Sequence, residues 1–183
     1  MNRKASICIV LVFALVSLVA VGAGAQGKGA TGGKLGIVFN VPNLLLQIAE
    51  ANDEVAAGLG LKYWLAQKMA LRAILDFNYN NNSATGVTTT TFGLSGAFEY
   101  HFVRARVSPY AGGLAGINIA TATGTPSNFA FYLAGILGAE VTLIDSVALF
   151  AEYNLRLFFD EPIFNLNVML GNNAQLGLIV YLP

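Results

Sequence analysis

The sequence predicts an all-β fold, an eight-stranded antiparallel up-and-down transmembrane β-barrel preceded by a helical signal peptide. Three observations predict it. Only 11% of the 183 residues are charged while 55% are hydrophobic, against about a quarter charged in an ordinary soluble domain. After residue 26 no apolar run reaches the roughly 20 residues that a membrane-spanning helix needs. That same stretch instead alternates apolar with small or polar residues at a period of two. A membrane chain without spanning helices is left with a closed barrel, because closure satisfies every backbone N–H and C=O without water.

The N-terminus comes first. Arg3 and Lys4 precede an apolar stretch, Ala5–Gly22, and A-G-A-Q follows at Ala23–Gln26. A positive start, an apolar middle and small residues before the cut describe a secretory signal peptide, residues 1–25, cleaved after Ala25. An uncleaved single-helix anchor is the alternative. Cys8, the only cysteine, lies in this stretch, so cleavage leaves no disulfide and no thiol chemistry. Losing Arg3 and Lys4 from ten cations leaves eight against ten acids, a formal net of −2. No basic or acidic block exists to recruit nucleic acid. Residues 26–33 form a short Gly-rich segment, and the barrel occupies 34–183.

Eight segments alternate. Lys34–Pro42 sets Leu35, Ile37, Phe39 and Val41 against Lys34, Gly36, Val38 and Asn40. Glu54–Leu65 sets Leu59, Leu61 and Tyr63 against Gly58, Gly60, Lys62 and Trp64. Met69–Asn80 sets Leu71, Leu75 and Phe77 against Arg72, Ile74, Asp76 and Asn78. Thr88–Val103 sets Phe92, Leu94, Phe98 and Tyr100 against Gly93, Ser95, Glu99 and His101. Val107–Ile119 is rich in Gly and Ala and has no readable phase, so the direction of Tyr110 stays open. Phe129–Leu143 sets Leu133, Leu137 and Val141 against Tyr132, Gly138 and Glu140. Val147–Phe158 sets Leu149, Tyr153 and Leu155 against Glu152, Asn154 and Arg156. Asn173–Leu182 sets Leu176, Leu178 and Val180 against Gln175, Gly177, Ile179 and Tyr181.

The connections alternate too. Ala66–Lys68, Arg104–Arg106 and Ile144–Ser146 are short, whereas Asn43–Asp53, Asn81–Val87, Ala120–Asn128 and Phe159–Asn172 are longer. Short turns at one end and long loops at the other suit an outer-membrane barrel with periplasmic turns. A twelve-residue strand tilted near 45° rises about 28 Å, close to the hydrocarbon thickness. The first long loop, N-L-L-L-Q-I-A-E-A, is apolar enough to form a short amphipathic helix at the rim.

Alternation alone also fits a soluble calyx, which has the opposite facing. Here the less apolar face is mostly Gly, Ala, Ser, Thr and Asn, which suits the narrow interior of eight strands and makes a poor water-facing surface. That face also collects Lys34, Lys62, Arg72 and Arg156 with Asp76, Glu99, Glu140 and Glu152. Charges in a membrane domain must be paired or wet, so a salt-bridged polar interior that holds the barrel shut is expected. Aromatic residues near segment ends, among them Tyr63, Tyr79, Phe98, Tyr100, Phe102, Phe129, Phe131, Tyr153 and Phe158, read as interfacial girdles.

P-Y-A-G-G-L-A-G (Pro109–Gly116), L-G-A-E-V (Leu137–Val141) and L-F-A-E-Y-N-L-R (Leu149–Arg156) resemble the small eight-stranded outer-membrane barrel family, the OmpA-like and OmpW-like proteins of diderm bacteria. The ending Q-L-G-L-I-V-Y-L resembles that family's C-terminal assembly signal, with its roles falling on Gln175, Gly177, Val180 and Leu182. Family members commonly end on Phe, whereas this chain ends Leu-Pro, and it lacks the peptidoglycan-binding domain of many OmpA-like proteins. The resemblance implies export through the secretion translocon, insertion by the barrel-assembly machinery, an outer-membrane lipid setting and a monomeric, porin-like cell-envelope protein.

Lipid A-modifying barrels, by resemblance, use a His with a Ser or an acid. His101 lies two residues from Glu99, a plausible acid–base pair, but both sit near the turn side, away from the outer leaflet that holds lipid A. No catalytic residue is therefore assigned and the chain reads as a non-enzyme. One histidine without a mature cysteine gives no transition-metal site, and no cofactor motif is present. D-E-P at Asp160–Pro162 reads as a solvated turn rather than a calcium loop. The expected role is structural or interactive at the cell surface. Alternatives are a narrow pore for small solutes, an adhesin binding an extracellular ligand through its loops and, last, a lipid-modifying enzyme.

Overall fold

The computed structural model describes residues 33–42, 53–82, 86–160, 165–169 and 174–183. The expected signal peptide, the Gly-rich segment up to residue 32 and the rim helix of the first loop lie outside them. Nine strand segments appear: β1 (Leu35–Pro42), β2 (Asp53–Ala66), β3 (Met69–Asn82), β4 (Val87–His101), β5 (Val107–Ala122), β6 (Asn128–Ile144), β7 (Val147–Asp160), β8 (Asn165–Met169) and β9 (Ala174–Tyr181). Each of β1 to β6 pairs antiparallel with its successor. β7 pairs with β9, and β9 pairs with β1 from Gly36 opposite Tyr181 to Pro42 opposite Gln175. The sheet thereby closes on itself as an eight-stranded barrel, and closure removes the open edge that a flat sheet would expose.

One element departs from the sequence reading. The stretch Phe159–Asn172, expected to be a loop, contains β8, which continues the ladder along the upper half of β7. Arg156 faces Met169 and Asp160 faces Asn165, while lower down Tyr153 faces Ala174. Between these pairs β7 has two residues where the other chain has four. Along β7 the eighth barrel strand is thus carried by β8 and then β9 with a two-residue shift in register between them, and β8 is only five residues long, too short to stand out as a period-two run. Several strands also run further than expected: β2 begins at Asp53, β3 ends at Asn82 and β7 ends at Asp160.

Side-chain facing follows the pleat. Outward-pointing Leu59, Leu75, Phe92 and Leu137 are exposed by more than half, whereas their inward neighbours Ile74, Ile136 and Ala97 are buried. Among the described outward side chains of the strands there is no Asp, Glu, Lys or Arg. An exposed face of this kind cannot serve as a water-facing surface, and it matches the lipid-facing band of a transmembrane barrel. Aromatic rings meet near both ends: Tyr100 with Phe102 along the end of β4 on the turn side, and Phe77 with Phe92 and Phe131 with Phe159 across neighbouring strands on the loop side.

Inside, glycines give seats to large neighbours. A Cβ on Gly138 would stand 2.6 Å from the Tyr110 ring, one on Gly116 2.4 Å from Tyr132, and one on Gly177 2.2 Å from Phe150. Eight strands enclose just enough width for side chains to fill, and each of these three rings lies over the glycine directly opposite it on the neighbouring strand. This resolves the strand whose phase the sequence left open: Tyr110 points inward and is fully buried.

Candidate functional site

The turn-side half of the lumen holds a cross-barrel ionic cluster. Lys62 on β2 donates to Glu99 Oε2 on β4 at 2.5 Å and to Glu140 Oε2 on β6 at 2.7 Å. Arg72 on β3 places Nε 3.0 Å from Glu99 Oε1 and donates through Nη2 to Glu152 Oε2 on β7. Tyr110 on β5 donates to Glu152 at 2.9 Å, and Tyr181 on β9 donates to Glu140 Oε1 at 2.8 Å. Trp64 Nε1 reaches the Tyr181 hydroxyl at 3.1 Å, joining the second strand to the last. Strands β2 to β7 and β9 each contribute, and none of these side chains is more than 6% exposed. Pairing and hydrogen bonding at such depth are what make burial of five charges tolerable.

His101 belongs to this cluster, and its hydrogen bonds decide between two chemistries. Ser108 donates its one proton to the Val103 carbonyl at 2.6 Å, so at 2.7 Å from His101 Nδ1 it accepts. Nδ1 therefore carries a proton. Nε2 faces the Lys62 ammonium and Glu99 Oε2, each at 3.3 Å. In a nucleophilic Ser–His–acid arrangement the imidazole must accept the serine proton through a free nitrogen. Here the nitrogen beside Ser108 is a donor, and the ring is sealed between Trp64 and Tyr110 at centroid distances of 4.5 and 4.9 Å. The arrangement leaves no free ring nitrogen facing Ser108 to take its proton.

A second, looser layer lies toward the loops. Asn40 Nδ2 donates to Asp76 Oδ1 and to Gln175 Oε1, both at 3.3 Å. Arg156 lies over the Tyr132 ring at 5.2 Å. Asp76 and Arg156 are half-buried, and Asn154 between the two layers is fully buried.

The eight charges read from the sequence thus separate into three groups. Lys62, Arg72, Glu99, Glu140 and Glu152 meet in one cluster; Asp76 and Arg156 stand in the upper layer; Lys34 lies at the turn-side rim. There Lys34 donates to the Asp145 carbonyl at 2.9 Å and lies over the Tyr181 ring at 4.9 Å, beside the cluster and not among its carboxylates. Sequence reasoning left out Trp64, Ser108, Tyr110 and Tyr181 as cluster members. Parity with Lys62 and Gln175 already placed Trp64 and Tyr181 on the inner face, so an aromatic on a charged face was the available signal. Of the four residues resembling an assembly signal, Gln175 and Gly177 face the lumen, Val180 faces outward, and Leu182 lies past the strand end with its N–H bonded to the Leu35 carbonyl at 2.8 Å.

No protein-family model matches the sequence, and no curated protein matches it. Among solved structures, the chain is similar to a de novo designed transmembrane β-barrel at 15% identity, covering 86% of this chain and 98% of that one, with a TM-score of 0.40. It is also similar to Neisserial surface protein A at 17% identity, covering 84% and 96% of the two chains, with a TM-score of 0.42.

Proposed function

We propose that this chain is an outer-membrane barrel protein whose lumen is plugged at the turn side and whose role is structural or interactive at the cell surface. In this reading residues 1–25 direct export and are removed, and β9 carries the assembly signal as it closes against β1. The barrel then stands as a monomer with its longer loops outward. The uncharged outer face supports the lipid setting. One observation carries the plug: Lys62, Arg72, Glu99, Glu140 and Glu152, drawn from five strands, bond to one another across the lumen and are buried. Opening a path through them would separate paired charges, which costs several kcal/mol per broken pair. The loops supply the remaining surface for contact with a partner outside the cell.

Planar-bilayer recording tests the plug. The wild-type protein is expected to give no steady conductance, and Glu99→Ala with Glu152→Ala is expected to give flickering small steps. Steady steps from the wild type would replace the plug with a pore. Membrane fractionation with heat-modifiable gel mobility tests location and barrel together, and mass spectrometry should find Gln26 as the first residue.

A further inference from the structure

The charges outside the lumen are sorted by end. Lys34, Lys68, Arg104 and Arg106 stand at the turn-side rim, the last three exposed, against the single acid Asp145. In the sequence, the connecting stretches 43–52, 83–86, 123–127 and 161–173 contain no Lys or Arg. Three of the rim cations lie along one arc. His101 N–H bonds to the Lys68 carbonyl and Thr142 N–H to the Arg106 carbonyl, each at 2.8 Å, which laces the neighbouring connections side by side. Beside this arc the wall is apolar and exposed, with Phe102 at 51%, Val107 at 54% and Ile144 at 62%.

Cations at the level where an apolar wall ends match the two parts of a phospholipid, with phosphate against guanidinium or ammonium and acyl chain against the wall. We propose that Lys68, Arg104 and Arg106 form a binding surface for anionic phospholipid headgroups of the leaflet on the turn side. The inference rests on the membrane reading above. Cations that outnumber the carboxylates at this rim select a net negative headgroup over a zwitterionic one, and the adjoining Phe102, Val107 and Ile144 select a lipid over a soluble anion.

The full chain, refolded into phosphatidylcholine vesicles containing about a third phosphatidylglycerol, is then extracted in mild detergent and weighed by native mass spectrometry. Phosphatidylglycerol should be retained over phosphatidylcholine. Lys68→Gln/Arg104→Gln/Arg106→Gln should lose that preference by roughly tenfold or more, since each cation near a surface is worth about a factor of five. Because Arg104 also lies 4.1 Å over the Trp64 ring, the pair Lys68→Gln/Arg106→Gln is tested beside it and should lose most of the effect. Equal retention of the two lipids by the wild type would overturn the proposal, as would undiminished preference in both variants. Displacement of the retained lipid by millimolar inorganic phosphate would overturn it as well. Failure of the wild type to show heat-modifiable mobility in either vesicle would instead strike the membrane reading on which the proposal stands.

Discussion

At the turn-side end of the lumen, Lys62, Arg72, Glu99, Glu140 and Glu152 lie within ion-pair distance of one another and are almost fully buried. At the loop-side end, Asp76 and Arg156 are half-buried, and the hydrogen bonds of Asn40 are long. The composition of the two layers differs accordingly: carboxylates and cations with Trp and Tyr below, amides with Gly seats above, where Gly58 leaves room for Asn40 and Gly93 for Asn118. The difference teaches that the interior is graded. Below, every charge depends on a protein partner; above, solvent screening substitutes for part of that dependence.

The largest effect that tests this gradient is Glu99→Ala, which strips both Lys62 and Arg72 of a carboxylate in a dry site. Such a loss costs about 3–5 kcal/mol, to be read from urea-driven unfolding in vesicles. Its counterpart Asp76→Ala removes one long hydrogen bond and should cost about 1 kcal/mol. Equal costs for the two would break the comparison between the layers. Somewhat smaller than the first is the expected effect of Leu75→Arg, which puts a cation on the outer face near mid-height; about 2–4 kcal/mol is expected, and a neutral result would reverse the facing of the wall. A finer test uses two glycines of β6. Gly138→Ala would press on Tyr110 and on the Ala151 carbonyl at 2.7 Å, at a cost of about 1–3 kcal/mol. Gly135 has nothing within 4 Å of its would-be Cβ, so Gly135→Ala should stay within about 0.5 kcal/mol. Similar losses at both positions would refute the idea that inward glycines are seats for large rings.

Facing was legible wherever the two sides of a strand differed in polarity. In β3, Arg72 and Asp76 alternate with Leu71 and Leu75, and a one-residue slip would bury one set in lipid. In β5 the run A-G-G-L-A-G has no such contrast, and Tyr110 was placed only by neighbours that the linear order does not reveal: Gly138 beneath it, His101 beside it and Glu152 at its hydroxyl. Pairing inside the lumen was legible as a set but not as partners. Lys62 and Glu140 are 78 residues apart, and Arg72 and Glu152 are 80 apart. Which of them meet depends on the stagger of the strands around the barrel, a property that alternation along any one strand does not encode. The same stagger places Lys34 at the rim, beside the Tyr181 ring and not among the carboxylates. β8 escaped notice for a different reason: its five residues are too few to show a period, and they pair with β7 at a register two residues offset from that of β9.

Trp64 is the only tryptophan in the chain, and its indole N–H is bonded to Tyr181, near the end of the final strand. The chain therefore carries its own optical clasp: a fluorophore whose surroundings are complete only when the first part of the barrel meets the last. Charges on β2, β3, β4, β6 and β7 must also find one another before any of them rests in hydrocarbon, so insertion one hairpin at a time would drag lone charges across. During refolding into vesicles, the blue shift of Trp64 and protease resistance of the barrel should rise together in one phase, and Tyr181→Phe should dim the first more than the second. Protease resistance that appears well ahead of the fluorescence change would mean that the strands cross in stages and clasp afterwards.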